Sequence, residues 1–363
     1  MGFLNKFFGT EDTVQIESNK DFWDWFTKNE KKFYEVVKTG KNVEKNLFNV
    51  LSPQAKKLRD GYYFIAEAKD NGIAELTVTV NGNTENIVFA EDLVKDAPKL
   101  ENWNFVALKS EENDDYEVSL EGRKYNVNKI FFYSNDNPDF PHDVDITFVY
   151  NDPSIKNREV VIEGIDMFID DYLGEMKFAT MMDSFNVVAL EKAEKELIPV
   201  SELKTYLDKR EADFQELFKN NDSQVAPEQC KAFEIFAKDG FPVRILLNLP
   251  VVNWNKKNSY PWISTLKIQF SGLANGLPDQ DDYEILNAID DEMKEILKPE
   301  NGHLYVGRET YSNVREVYFA SKDFRDAARV FDQIISKYGE EYIFDTSIVK
   351  DKHWKTFAKY NIA

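Results

Sequence analysis

Few side chains in this sequence suit acid–base, metal or nucleophilic chemistry near neutral pH. There are three histidines, His142, His303 and His353, and one cysteine, Cys230. Zinc sites place such ligands a few positions apart, and no two of these histidines fall within that spacing. A lone thiol closes no internal disulfide and builds no multi-cysteine metal site. Cys230 therefore reads as a small buried hydrophobe of a reducing compartment. His303 opens a predicted strand and His353 stands beside Trp354; both read as surface or interface histidines. No Gly-x-Gly-x-x-Gly, Walker loop or Gly-x-Ser-x-Gly elbow occurs. Carboxylates abound, but an acid–base pair needs environments that split its two pKa values. Asp279, Asp281 and Asp282 fall at a predicted helix N-terminus, where negative charge suits the dipole. Asp290, Asp291 and Glu292 read as a solvated helix face. The run from Asp279 lacks the glycine and closing glutamate of a calcium loop. The expected sets of catalytic, metal-ligating and cofactor-binding residues are empty.

Binding chemistry is better represented. Trp254, Tyr260 and Trp262 cluster around Pro250 and Pro261. Arg308 and Arg315 flank a predicted hairpin over 303–320, with Tyr305, Tyr311 and Tyr318 nearby. Trp, Tyr and Arg dominate binding hot spots because they join large area to directional donors. Trp254, Tyr260, Trp262, Arg308, Arg315 and Tyr318 are the candidate partner-binding residues. The competing reading makes them core aromatics plus surface arginines that balance Glu309 and Glu316. A sheet with exposed aromatics also suits RNA, but the aromatic signature of an RNA-recognition motif is absent from 303–320.

These residues need elements to hold them. In the first half, Ser18 with Asp21 forms a capping-box start for a helix that Gly40 ends. A second helical stretch follows from Asn42, with Pro53 placed for a further short helix. Beyond Gly61 the period changes to two: strands over 62–68, 73–80 and 86–89, turning at Asp70-Asn71-Gly72 and Asn81-Gly82-Asn83, predict a β-meander. A short helix is expected over 91–97, and strands over 103–108 and around Val144 to Tyr150. A helical stripe at 157–173 stops at Gly174, a strand runs over 185–190, and an amphipathic helix spans 203–218. In the second half, Asp239-Gly240 joins two strands over 231–238 and 241–249. A strand at 262–270, a helix at 278–297, a hairpin across Ser312-Asn313, a helix closed by Gly339 and a strand at 341–349 follow. The order from 262 to 349 is β-α-β-β-α-β, and a similar order can be drawn through 73–190. The expected fold class is α+β, with two ferredoxin-like α/β sandwich domains built on antiparallel sheets. The expected layout is a flexible N-terminus over 1–17, an N-terminal domain with a linker helix over 18–224, and a C-terminal domain over 225–363.

Bulk composition narrows the function. The 363 residues are 42 % hydrophobic and 14 % aromatic, enough for two cores, and carry a formal charge of −20. Phosphate-tracking proteins gain affinity by replacing counterions with Lys and Arg, so this charge argues against nucleic acid and anionic membranes as partners. No apolar run approaches bilayer-spanning length. The opening Met1 to Gly9 is too short for a signal peptide, and Lys6 stands where a myristoylation signal wants Ser or Thr.

Tyr260-Pro261-Trp262, Leu266-Lys267-Ile268, Gly302 to Thr310 and Arg315-Glu316-Val317-Tyr318-Phe319 resemble the bacterial domain of unknown function 695 family over about 228–360. The strand–helix order is also similar to that of the RNase E activity regulator B, a ferredoxin-like protein that acts by binding a protein. Ile165-Asp166 through Asp171-Tyr172-Leu173-Gly174-Glu175 is similar to an element of several uncharacterised bacterial domains. The resemblance implies no catalytic residues, and implies a bacterial, cytoplasmic setting. The expectation is a non-catalytic protein-binding or regulatory module with no cofactor. The alternatives are a hydrolase-type enzyme with a carboxylate site between the domains, and an acidic immunity- or antitoxin-like inhibitor.

Overall fold

The computed structural model describes residues 15–151, 158–218 and 227–360. The start of the expected flexible N-terminus and the boundary expected near 224 lie outside the described residues. The chain divides into two compact units between Ser110 and Glu111.

In the first unit, α1 (Asn19–Thr39) begins where the Ser18 side chain accepts from the Asp21 N–H and ends at Gly40, with φ of 62°. Its buried stripe includes Phe22, Trp23, Trp25, Phe26, Phe33 and Val37. A π turn leads into α2 (Asn49–Ala55). β1 (Tyr63–Ala68), β2 (Ala74–Thr79), α3 (Thr84–Lys95) and β3 (Trp103–Ala107) follow. β1 pairs antiparallel with β2, while β2 and β3 run parallel, joined by the α3 crossover. The strand expected over 86–89 is therefore helix. Asn83 caps it by accepting from the Glu85 N–H, and Ile87, Val88, Ala90 and Leu93 are buried at helical spacing.

The second unit opens with the hairpin β4 (Val118–Leu120) and β5 (Arg123–Tyr125). Then come β6 (Ile130–Ser134), β7 (Asp145–Tyr150), α4 (Arg158–Leu173), α5 (Glu175–Met181), β8 (Ser184–Ala189), β9 (Ile198–Pro199) and α6 (Leu203–Glu216). The sheet order is β8-β7-β6-β9, with β7 and β8 parallel. The repeat expected through 73–190 does not form: those strands are split among separate sheets, two of them containing parallel pairs. Local periodicity specifies strands but not their neighbours.

The same unit continues with β10 (Cys230–Phe236), β11 (Pro242–Asn248), α7 (Leu249–Val252), β12 (Trp262–Gln269), α8 (Gln280–Ile296), β13 (His303–Tyr311), β14 (Val314–Ser321), α9 (Arg325–Tyr338) and β15 (Ile343–Lys350). These strands form one antiparallel sheet, ordered β10-β11-β13-β14-β12-β15. Its hairpins turn where the sequence supplies positive φ, at Gly240 and at Ser312 with Asn313. α8 and α9 lie on one face: Asp290 meets Arg308 and Arg315 there, and Phe324 packs on Trp262. α7 and the segment holding Trp354 and Phe357 cover part of the other, over Ile263, Leu304, Val306, Tyr318 and Ala320. β10 is an edge strand with Ile235 and Phe236 exposed. Among the described residues no helix is long and apolar enough to cross a membrane.

One irregularity sets the chemistry of the helix-covered face. β13 carries an extra residue between Tyr305, which faces Phe319, and Gly307, which faces Tyr318. A bulge of this kind re-aims the side chains after it. Tyr305 and Arg308, three positions apart, thus share a face that an unbroken strand would deny them. Gly307 has φ of 152°, and a Cβ there would lie 2.2 Å from the Leu246 carbonyl oxygen. Gly307→Ala is expected to lower unfolding free energy by about 2–3 kcal/mol, read from urea midpoints. An unchanged midpoint would show that the bulge does not need glycine.

Candidate functional site

The candidate residues separate into two pockets and a core position. Trp254, Tyr260 and Trp262 line a cleft of about 590 Å³ at the end of the sheet where β12 begins and β15 finishes. Phe214 and Phe218, on α6 and just beyond it, also line it, and Glu211, Glu216, Lys322 and Lys350 supply its charges. Arg308 and Arg315 line a second pocket of about 400 Å³ on the face carrying α8. Tyr318 lies in the core against Phe357, and its hydroxyl donates to Glu316. Tyr260, Trp262, Arg315 and Tyr318 are buried, so the candidates do not form one flat exposed surface.

The cleft is framed by charge pairs. Lys350 Nζ lies 2.8 Å from Glu211 Oε2 and donates to the Thr180 carbonyl at 3.0 Å. Burial holds its ammonium below the usual lysine range, against the pull of Glu211. Next along the chain, Lys352 pairs with Asp183 at 2.8 Å and donates to the His142 carbonyl, and Lys355 pairs with Asp143 at 2.8 Å. The rings of His142 and His353 stack at 5.7 Å. Burial holds both imidazoles below their ordinary value, and each lies among further cations. The partners of this seam are far apart along the chain, so local sequence pattern does not reveal the pairing. The available signal was the alternation of Lys350, Lys352 and Lys355 around His353 in an otherwise acidic protein.

The second pocket is built from facing rows. Arg244 pairs across the sheet with Thr310, and Thr310 with Arg315; Leu246 pairs with Arg308. From α8, Asn287 and Asp290 reach down onto the arginines. Asp290 Oδ2 accepts from Arg308 Nη1 and, at 3.3 Å, from Arg315 Nη1. Asn287 Oδ1 accepts from the same two nitrogens at 2.7 and 3.2 Å, and Arg315 Nε donates to Thr310 Oγ1. Asp290 is 1 % exposed, so it belongs to the interior and not to the solvated face expected for it. Burial pushes its carboxyl up from the usual range while the two guanidinium groups pull the other way. Glu309 and Glu316 do not balance these arginines; both lie near Lys359 instead.

Residues 233–360 match the family model DUF695, described as a family of unknown function. No curated protein and no solved structure matches the chain, and no structural neighbour supports the likeness to the RNase E regulator. The DUF695 stretch carries nearly all of the arginine pocket and the Trp254–Trp262 wall of the cleft.

Two other expectations change. His303 is buried, with Nδ1 2.8 Å from Ser321 Oγ and Nε2 3.7 Å from Asp326 of α9. Cys230 is only partly buried, and its burial beside Glu228 pushes the thiol up to about 11. Asp279 stands at the N-terminus of α8 as expected, and caps it by accepting from the Asp282 N–H at 2.9 Å. Among the described residues no group of His, Cys, Asp and Glu is placed to hold a metal ion.

Burial also holds His303 below its ordinary value. When a folded-state imidazole pKa lies below the unfolded value of about 6.5, acidification adds protons preferentially to the unfolded chain. Stability contributed by His142, His303 and His353 is thus present above that value and is lost as the pH falls through it. Urea midpoints are expected to drop from pH 7.5 to pH 5.5, with a smaller drop in His303→Gln. Equal drops in the two proteins would remove His303 from this account.

Proposed function

We propose that this protein acts by binding a partner protein, without making or breaking bonds, and that the aromatic cleft receives the partner. The observation carrying this reading is the convergence of Trp254, Tyr260 and Trp262 with Phe214 and Phe218 around one opening of about 590 Å³. Rigid aromatic walls lose little conformational freedom on binding and offer large apolar area, which is why such pockets anchor interfaces. The charges favour one kind of occupant. Lys350 is already held by Glu211. Lys322, 5.3 Å from the Tyr260 ring, forms no ion pair among the described residues. An extended segment with an apolar anchor and a neighbouring acidic residue fits both features.

The run β12-α8-β13-β14-α9-β15 supports a ferredoxin-like reading of residues 262–350, extended by the β10–β11 hairpin, because its strands lie in the order β13-β14-β12-β15. A hydrolytic reading gains less: of the two acids lining the cleft, Glu211 is tied to Lys350. Trp254 is half-buried and Lys322 exposed, so substitution there spares the core. Affinity capture from native extract, with wild-type protein and with Trp254→Ala and Lys322→Glu, tests the reading. Each variant is expected to lose about 2 kcal/mol, or thirtyfold, in affinity for the captured partner. Recovery of the same protein at equal strength by all three would end it.

A further inference from the structure

The pocket beside α8 carries charges that do not balance. Arg308 and Arg315 both line it, and a guanidinium keeps its proton at any pH a protein meets. Asp290 is the carboxylate that touches them. The nearby acids are otherwise engaged: Glu234 with Arg244 at 3.0 Å and Glu228 with Lys294 at 3.0 Å. At least one positive charge is therefore unmatched, at a largely buried site, in a chain whose overall charge is −20.

The hydrogen bonds point the same way. They use only Nη1 of Arg308, and Nε and Nη1 of Arg315. Among the described residues, nothing accepts from Nε or Nη2 of Arg308 or from Nη2 of Arg315. These unused N–H groups are not sealed inside the protein but open onto the pocket that both arginines line, and a carboxylate is the planar acceptor that matches a guanidinium edge. Ala232, Leu246, Pro278 and Tyr283 supply a compact, largely apolar surround.

We propose that this pocket binds a small organic monocarboxylate, its carboxylate on the unused N–H groups of Arg308 and Arg315 and its hydrocarbon body against Ala232, Leu246, Pro278 and Tyr283. With Asp290 ionised, one negative charge on the ligand neutralises the site, whereas a doubly charged phosphate leaves it net negative. The assignment uses none of the residues of the aromatic cleft, so it stands or falls separately from the partner-binding reading.

Benzoate is a suitable probe, with benzamide as its uncharged isostere and inorganic phosphate as the competing anion, each titrated calorimetrically into the full-length protein. Saturable benzoate binding with a Kd of about 1 mM or tighter is expected, with benzamide and phosphate each weaker by at least about tenfold. Arg308→Met leaves a neutral Asp290–Arg315 pair and should weaken benzoate at least about tenfold. Ala232→Trp occupies the space from an exposed position of β10, leaves the arginines alone, and should do the same. If Arg308→Met does not fold, Ala232→Trp decides. The proposal is overturned if benzoate fails to bind wild-type protein at about 10 mM, if benzamide or phosphate equals it, or if the deciding variant binds as wild type does.

Discussion

Arg315 cannot shed its charge, yet the sheet buries it almost completely. Much of the surrounding architecture answers that constraint. Leaving a buried guanidinium unpaired costs several kcal/mol, so α8 must present an acceptor at the right height. Asn287 and Asp290 do this from positions three apart, which share one helix face. The bulge at Gly307 then swings Arg308 onto the same side, where Asp290 Oδ2 serves both guanidinium groups. A single buried cation thus links the register of β13, the rotation of α8 and the backbone freedom of one glycine.

The cleft at the sheet end rests on a different principle. Its walls come from α6 and from β12 with the chain just before it, and the seam beside them is electrostatic. Lys350 and Lys352 are largely withdrawn from solvent, each against a carboxylate of the preceding chain. Partly buried pairs are screened by salt less than surface pairs, and they fix orientation because breaking one strands the other. Aromatic faces beneath the ammonium groups, Trp262 under Lys350 and Phe214 under Lys352, add to the attraction.

What could be read in the sequence was what neighbours along the chain decide. Ser18 as a helix cap, Asp279 at a helix N-terminus, Gly40 as a stop, and the turns at Asp239-Gly240 and Ser312-Asn313 all follow from local backbone chemistry. The element order from 262 to 349 was legible for the same reason. Local pattern misleads where distant packing chooses. Ile87 and Val88 suit a strand by side-chain type, but Asn83 and the burial of Leu93 make the segment a helix. Asp290 sits in an acidic run that looks solvated, and only the strands beneath it reveal that it faces arginines. Of the site residues, the aromatic and arginine types were visible, but their division between two pockets was not, because it depends on a bulge and on a helix from earlier in the chain.

The edge position of β10 has a consequence for the arginine pocket. Among the described residues β10 pairs with β11 alone, and its other side meets no strand. Ala232 and Glu234, on the pocket's rim, belong to this least-anchored strand, whereas the arginines belong to the sheet's well-clamped interior. Fraying begins at such margins. The charged floor is thus tied into the sheet on both sides and the rim on one, so opening of the β10–β11 hairpin would loosen Ala232 and Glu234 before the arginines.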